Sequence, residues 1–265
     1  MRIDVLTLFP EVCEPFFAAS ILGRAQASDL VTIRCHNIRD YAAGPHGAVD
    51  DRPFGGGPGM VLMCQPVFDA VEAVENEADA VSTRILLTPQ GEPFRQSIAA
   101  ELAACEYLVL LAGHYEGFDE RIRLGLAPRE VSIGDYVLSG GEAAAMVLVD
   151  AVVRLIPGVL GDPEGALDDS FSIMAGTTPD AGETWKGAGY LEYPQYTRPR
   201  TYRGMEAPEI LLSGDHGRIR SWRLEEAKRR TARRRPDLMR ASDAEGKGAA
   251  EGRVEETDKL ESHDA

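Results

Sequence analysis

Hydrophobic positions in the first 160 residues fall into two alternating spacings. "RIDVLTLF" (2–9) is a short apolar run that predicts a strand, and "EPFFAASILGRAQAS" (14–28) carries the spacing of a helix. "LVTIRCHNI" (30–38) alternates with the period of two that a strand requires. "QPVFDAVEAVENEA" (65–78) sets Val67, Ala70, Val71 and Val74 on one helical face. "RILLTP" (84–89) predicts a buried strand ended by Pro89, "FRQSIAAELAA" (94–104) a helix, and "YLVLLAG" (107–113) a second fully buried strand. "EVSIG" (130–134) is a further strand. The stretch that follows begins as a loop and continues as a long apolar helix from Gly141 to Leu155, stopped by Pro157 and Gly158. Strands and helices in this order predict an α/β fold with a largely parallel sheet.

The pattern then fades. From Gly161 to Tyr190 the chain is rich in Gly, Asp, Thr and Pro without periodicity, the composition of a flexible linker. Beyond it, "GRIRSWRLEEAKRRTARRR" (217–235) lies in a region of one or two amphipathic helices and turns Ile219, Trp222, Leu224 and Ala227 towards a small core. Residues 241–265 have no large apolar face and are expected to be disordered. The predicted organisation is therefore a domain over 1–160, a linker over 161–190, a basic helical domain over 191–240 and an acidic tail.

Charge sharpens this division. The 265 residues carry a net charge of -15, which taken alone argues against a polyanionic partner. Residues 193–240, however, hold 13 Lys/Arg against 6 Asp/Glu, and residues 241–265 hold 3 against 8. A basic block within an acidic chain points to nucleic acid more strongly than the total points away from it. The four cysteines lack C-x-x-C spacing and do not cluster with the five histidines, so neither a zinc site nor a disulfide framework is indicated, and they read mostly as small core residues. No apolar run approaches the length of about 20 residues that spans a bilayer, and the N-terminus lacks the features of a signal peptide, which predicts a cytoplasmic protein.

"DDRPFGGGPGM" (50–60) has the look of a phosphate cradle, yet it lacks the Gly-Lys-Ser/Thr of a nucleotide P-loop and the G-x-G-x-x-G spacing of a dinucleotide fold. A nucleotide-hydrolysing enzyme is disfavoured for that reason. Ligands of open α/β sheets bind beyond the carboxyl ends of the strands. There the chain reads "PQGEPF" (89–94), "HYEGFDER" (114–121) and "DYVLSGGE" (135–142), each combining glycine with polar or aromatic residues. Such loops let a ligand approach the backbone, whose N–H and C=O groups then recognise it.

Seven segments in order, "DRPFGGGPGM", "LTPQG", "GHYEGFDER", "SIGDYVLSGGE", "RLIPGVLG", "DDSF" and "YPQYTRP", resemble the bacterial tRNA (guanine-N1)-methyltransferases of the SPOUT class. The resemblance runs from Met1 to about Met239. It implies a parallel sheet with a deep trefoil knot at the C-terminal end of the first domain, followed by a small helical domain. It also implies methyl transfer from S-adenosylmethionine to N1 of guanine 37 in the tRNA anticodon loop. Carried over by motif, the cofactor site comprises Leu87, Thr88, Pro89 and Gly91, then Gly113, Tyr115 and Glu116, then Ile133, Gly134, Asp135, Tyr136, Val137, Leu138, Gly140 and Gly141.

In neutral guanine N1 carries a proton, so a base must remove it, and a cation should stabilise the charge that develops on O6. By resemblance Asp169 is the base and Arg154 the cation, with Glu116 a further acid beside the methyl donor. An ordinary Asp titrates near 3.9, so burial or a neighbour such as Asp168 would have to raise its pKa. Asp50 and Arg52, with Gly55, Gly57 and Gly59, are the expected guanine contacts, and Arg198, Arg218 and Arg220 belong to an arginine set expected to hold phosphates. The family implies Mg2+, for which no ligand is assigned, and an antiparallel homodimer whose active site is shared between subunits. The connection after "DSF" is longer than usual for the family. A non-catalytic RNA-binding protein of the same fold is the alternative, which loss of Asp169 or Arg154 would have favoured.

Overall fold

The computed structural model describes residues 1–44, 47–161, 169–171 and 190–239. The chain divides into two compact units, Met1–Gly161 and Asp162–Ala265. In the first, the strands are β1 (Arg2–Thr7), β2 (Thr32–Asn37), the short pair β3 (Asp50–Asp51) and β4 (Val61–Leu62), β5 (Thr83–Pro93), β6 (Tyr107–Ala112) and β7 (Arg129–Ser132). All but β3 and β4 form one parallel five-stranded sheet in the order β2-β1-β6-β5-β7.

Alternation along the central strand explains the layers. Leu108, Leu110 and Ala112 of β6 enter one core with Ile3, Val5 and Ile85, covered by α1 (Pro10–Phe17), α2 (Ser20–Ala27), α4 (Gln96–Ala103) and α6 (Glu142–Val153). Tyr107, Val109 and Leu111 enter the other with Leu6 and Leu86, covered by α3 (Cys64–Ala78) and α5 (Glu120–Leu126). Both faces of β6 are buried, which is why its sequence is continuously apolar. Each fully buried leucine of this sheet contributes about 2 kcal/mol of apolar burial.

The structure corrects several boundaries. The helix expected over 14–28 is two helices. The chain turns at Ala19, which is extended, and Ser20, at φ 50. A side chain on Gly23 would press into the Ala18 carbonyl, so α2 begins tightly against the end of α1. Pro89 does not end its strand. Leu87 and Glu92 both pair with Val131, so residues 88–91 bulge out and β5 resumes as far as Pro93. The helix expected from Phe94 starts at Gln96, because Phe94 N still donates to Ser132 O at 2.7 Å. α5 was not expected at all: it begins at the end of the 114–121 motif, and its seven residues are too few to show a clear period. Of the cysteines Cys13 is buried in the core, and Cys35, Cys64 and Cys105 are half-buried and pack against the edges of the two cores.

In the second unit β8 (Thr201–Tyr202) and β9 (Met205–Glu206) form a small hairpin, and α7 (His216–Arg234) is a single long helix. Asp215 caps α7, its carboxylate accepting from Arg218 N at 3.0 Å. Ala227 is buried with Tyr193 against Tyr190 and Leu224, while Ile219 and Trp222 are half-buried. Thr231, also buried, donates to Ala227 O and accepts from Leu191 N at 2.9 Å. The expected linker over 162–168 and 172–189 and the tail over 241–265 lie outside the described residues.

Candidate active site

The carboxyl ends of β5, β6 and β7 carry the three glycine-bearing loops anticipated from the sequence. Their closeness is enforced by backbone. Gly141 N donates to Gly113 O at 2.7 Å, and His114 and Gly140 form an isolated bridge. A Cβ on Gly141 would stand 2.7 Å from Ala112 Cα and 2.9 Å from Gly113 N, so this glycine is demanded by close approach, with φ at -80. Gly91 is equally confined: a Cβ there would lie 2.5 Å from Glu130 C and 2.6 Å from Val131 C. The 88–91 bulge, the Gly113–Glu116 loop and the 133–141 loop thus border one region. Leu87 is buried at its floor, and Asp135, Tyr136, Val137 and Leu138 are exposed, Val137 to 87%. Thr88, Gly113, Ile133 and Gly134 are half-buried, while Pro89 is exposed.

The glycine-rich stretch is the tip of the β3–β4 hairpin, in which Asp50 pairs with Leu62 and Asp51 with Val61. Gly55, Gly56, Gly57 and Gly59 all have positive φ, between 79 and 119, a backbone that only glycine adopts without strain. Phe54 at the tip is 98% exposed. Asp51 accepts from Arg52 N at 2.7 Å, a local turn contact. The base of the hairpin is fastened to the loop after β6: Glu116 N donates to Met60 O at 3.0 Å, Leu62 N to Gly117 O at 2.9 Å, and Asp119 N to Leu62 O at 3.0 Å. The sequence separates the "DRPFGGGPGM" and "GHYEGFDER" motifs, and the fold joins them: Gly59, at φ 83, lies beside the exposed Glu116 side chain.

Arg154 is the C-terminal cap of α6 and is half-buried; Asp169 belongs to the second unit and is likewise half-buried. Asp168 lies outside the described residues. Among the described residues no group of three His, Cys, Asp or Glu side chains is spaced to hold a metal ion, and no helix is long and apolar enough to cross a membrane. Sequence reading missed Thr7, His114 and Glu142. They meet under the loops: Thr7 Oγ1 donates to Glu142 Oε1 at 2.5 Å, and His114 Nε2 is 3.3 Å from Glu142 Oε2. The signal available was an acid directly after the paired glycines, at the first turn of a helix.

The arginines of the second unit divide by what they touch. Arg223 lies over the Tyr193 ring at 4.6 Å, Arg230 donates to Glu192 O at 3.1 Å, and Arg200, Arg229 and Arg235 pair with Glu209, Glu226 and Asp237. Arg198, Arg218 and Arg220 are exposed.

Parallel strands, glycine-bearing loops at their carboxyl edge and a separate arginine-rich helix define an α/β protein built to bind a ligand at that edge, with a basic surface for a polyanion. Residues 1–241 match the tRNA (guanine-1)-methyltransferase TrmD family. The chain belongs to that family. It is similar to the tRNA (guanine-N(1)-)-methyltransferase of Moorella thermoacetica, 54% identical over 240 residues that cover 90% of each chain. The enzymes of the same name from Dehalococcoides mccartyi and Bacillus cereus (strain B4264) are 52% and 50% identical over 239 residues. These cover 90% of this chain in each case, and 90% and 92% of the relatives. The acidic tail from residue 242 onwards lies beyond the family match.

Proposed function

We infer that this protein methylates N1 of guanine 37 in the anticodon loop of tRNA, using S-adenosylmethionine as methyl donor. The carrying observation is the backbone-locked set of loops at the edge of β5, β6 and β7, in which Gly91 and Gly141 admit no side chain. Loops of this kind offer amide and carbonyl groups, with Tyr115, Tyr136 and Leu138 as apolar surface, which suits an adenosine and not a triphosphate. Leu87, Thr88, Pro89 and Gly91, Gly113, Tyr115 and Glu116, and residues 133–141 would hold the donor. The bridge between the loops after β6 and β7 is consistent with the trefoil knot of the family.

When bound, S-adenosylmethionine would supply a methyl group activated by its sulfonium sulfur, with a thioether as the leaving group. The guanine N1 proton passes to a carboxylate oxygen of Asp169 while the Arg154 guanidinium meets the charge growing on O6. The electron pair freed on N1 then forms the new bond to the methyl carbon. Asp50, Arg52 and the glycine-rich hairpin receive the target base, which must leave its stack to reach the donor. The hairpin's attachment at Met60 and Leu62 to the Glu116 loop supports adjacent base and donor sites. Magnesium finds no cluster of three His, Cys, Asp or Glu ligands among the described residues. Residues 191–240 form the tRNA-binding domain, with Arg198, Arg218 and Arg220 on phosphates.

The working unit is a homodimer whose active site draws Asp169 from one subunit and the donor from the other. Its support is apolar surface: α1 and α6 pack together in one layer yet leave Val12 51%, Phe16 41% and Val147 49% exposed. The protein is assigned to the cytoplasm, where its substrate resides.

Incubating the full chain with a G37 tRNA transcript and methyl-labelled S-adenosylmethionine should place label on guanine N1. A transcript with adenine at that position should stay unlabelled, and label elsewhere or nowhere would reject the reading. Asp169→Ala should lower turnover by on the order of 100-fold or more, the usual worth of a general base, with donor affinity kept. Turnover close to normal would remove Asp169 as the base.

A further inference from the structure

Beneath the proposed donor site lies a carboxylate that the reaction above does not use. Glu142 is the first residue of α6 and only 6% exposed. Its Oε1 accepts from Thr7 Oγ1 at 2.5 Å, and Thr7, the buried last residue of β1, accepts in turn from Phe9 N at 3.0 Å. Its Oε2 stands 3.3 Å from His114 Nε2. One side chain therefore ties the end of β1, the loop after β6 and the start of α6. The first turn of a helix favours a negative charge, and burial requires that the carboxylate keep its partners.

His114 gives this carboxylate reach into the site. The imidazole packs between Phe9, at 4.8 Å between ring centroids, and Tyr115, at 5.7 Å edge-on. Tyr115 stands at φ 60, a left-handed conformation that a tyrosine holds only when its surroundings impose it. The surroundings are specific. Arg39 Nη2 is 3.5 Å from the Tyr115 hydroxyl, Glu116 N is held by Met60 O, and Gly140 leaves no space for a side chain between His114 and Glu142.

We propose that Glu142 is a positioning residue for the methyl-donor site: acting through His114, it holds Tyr115 in the left-handed conformation that shapes the Gly113–Glu116 wall. The proposal rests on reading that wall as part of the donor site. A carboxylate that only braced the start of α6 would affect stability and leave donor affinity alone.

Glu142→Gln in the full chain preserves size and removes the charge. The KM for S-adenosylmethionine, and its Kd by titration calorimetry, should rise about tenfold, as expected for loss of one charge-assisted hydrogen bond. The kcat at saturating donor and the KM for tRNA should hold. His114→Ala should give the same rise, and the double variant no more than either single one, since both changes cut one path. Thr7→Val should weaken donor binding in the same direction, and Thr7→Ser should restore it. Unchanged donor affinity in a folded Glu142→Gln protein, or additive effects in the double variant, would overturn the proposal. If Glu142→Gln does not fold, His114→Ala carries the same test. A wild-type protein that transfers no methyl would instead sink the functional reading, whatever the variants do.

Discussion

Asp4, in the middle of β1, has no exposed surface, yet it keeps its charge because Arg2 and His36 supply what water would. Burial is the largest influence and pushes its pKa up. Hydrogen bonds with His36 at 2.8 Å and Arg2 at 2.7 Å outweigh burial and hold it below the ordinary carboxylate value. A depressed folded-state pKa gives stability that is present above the unfolded pKa, near 3.9, and is lost as pH falls through the folded value. Asp4→Asn should therefore cost about 3 kcal/mol at pH 7, since Arg2 loses its buried partner. Denaturant titrations should find the gap to wild type narrowing below about pH 4; a gap independent of pH would mean that Asp4 acts by shape alone. Gly141 illustrates a different kind of residue constraint. Its need for glycine comes from the facing backbone of Ala112 and Gly113 and not from an unusual φ, so nothing local in the sequence announces it.

At the scale of elements, α7 does two jobs with one residue type. Arg223 and Arg230 hold the small core through Tyr193 and Glu192, whereas Arg218 and Arg220 face solvent. Binding of tRNA measured across a salt series should separate them. Arg218→Ala and Arg220→Ala should each lower the log–log salt slope by about one phosphate contact. Arg223→Ala should lower the melting temperature instead, and an unchanged slope in the first two would remove them from the interface. Elements were legible where one period ruled. The apolar run of β6 and the Val67–Val74 face of α3 are written in the sequence because each packs a whole face against the sheet. The break between α1 and α2 was not, since it depends on Gly23 reaching the Ala18 carbonyl. α5 was hidden because seven residues, starting at the end of a glycine-bearing motif, give too short a period to read. The site motifs were legible as strings, but the contact of the 50–60 hairpin with the Glu116 loop arises only when β4 pairs beside Phe118.

For the molecule as a whole, the exposed apolar face of α1 and α6 is the surface on which the proposed homodimer is tested. Val147→Asp places a charge on that face without entering the core. Sedimentation velocity should show the variant as a monomer, with methyl transfer lost and S-adenosylmethionine still bound. A dimeric and active variant would refute the shared site on this face. The parallel sheet itself is insulated from changes in its ligand loops, and β5 shows how. Leu87 and Glu92 meet the same residue of β7, Val131, so the chain leaves the ladder and returns to it at one rung. The four residues between carry no part of the sheet's register. A longer or shorter excursion there would leave both neighbouring strands where they are, so selection can resize the wall of the proposed donor site without asking the core to be rebuilt.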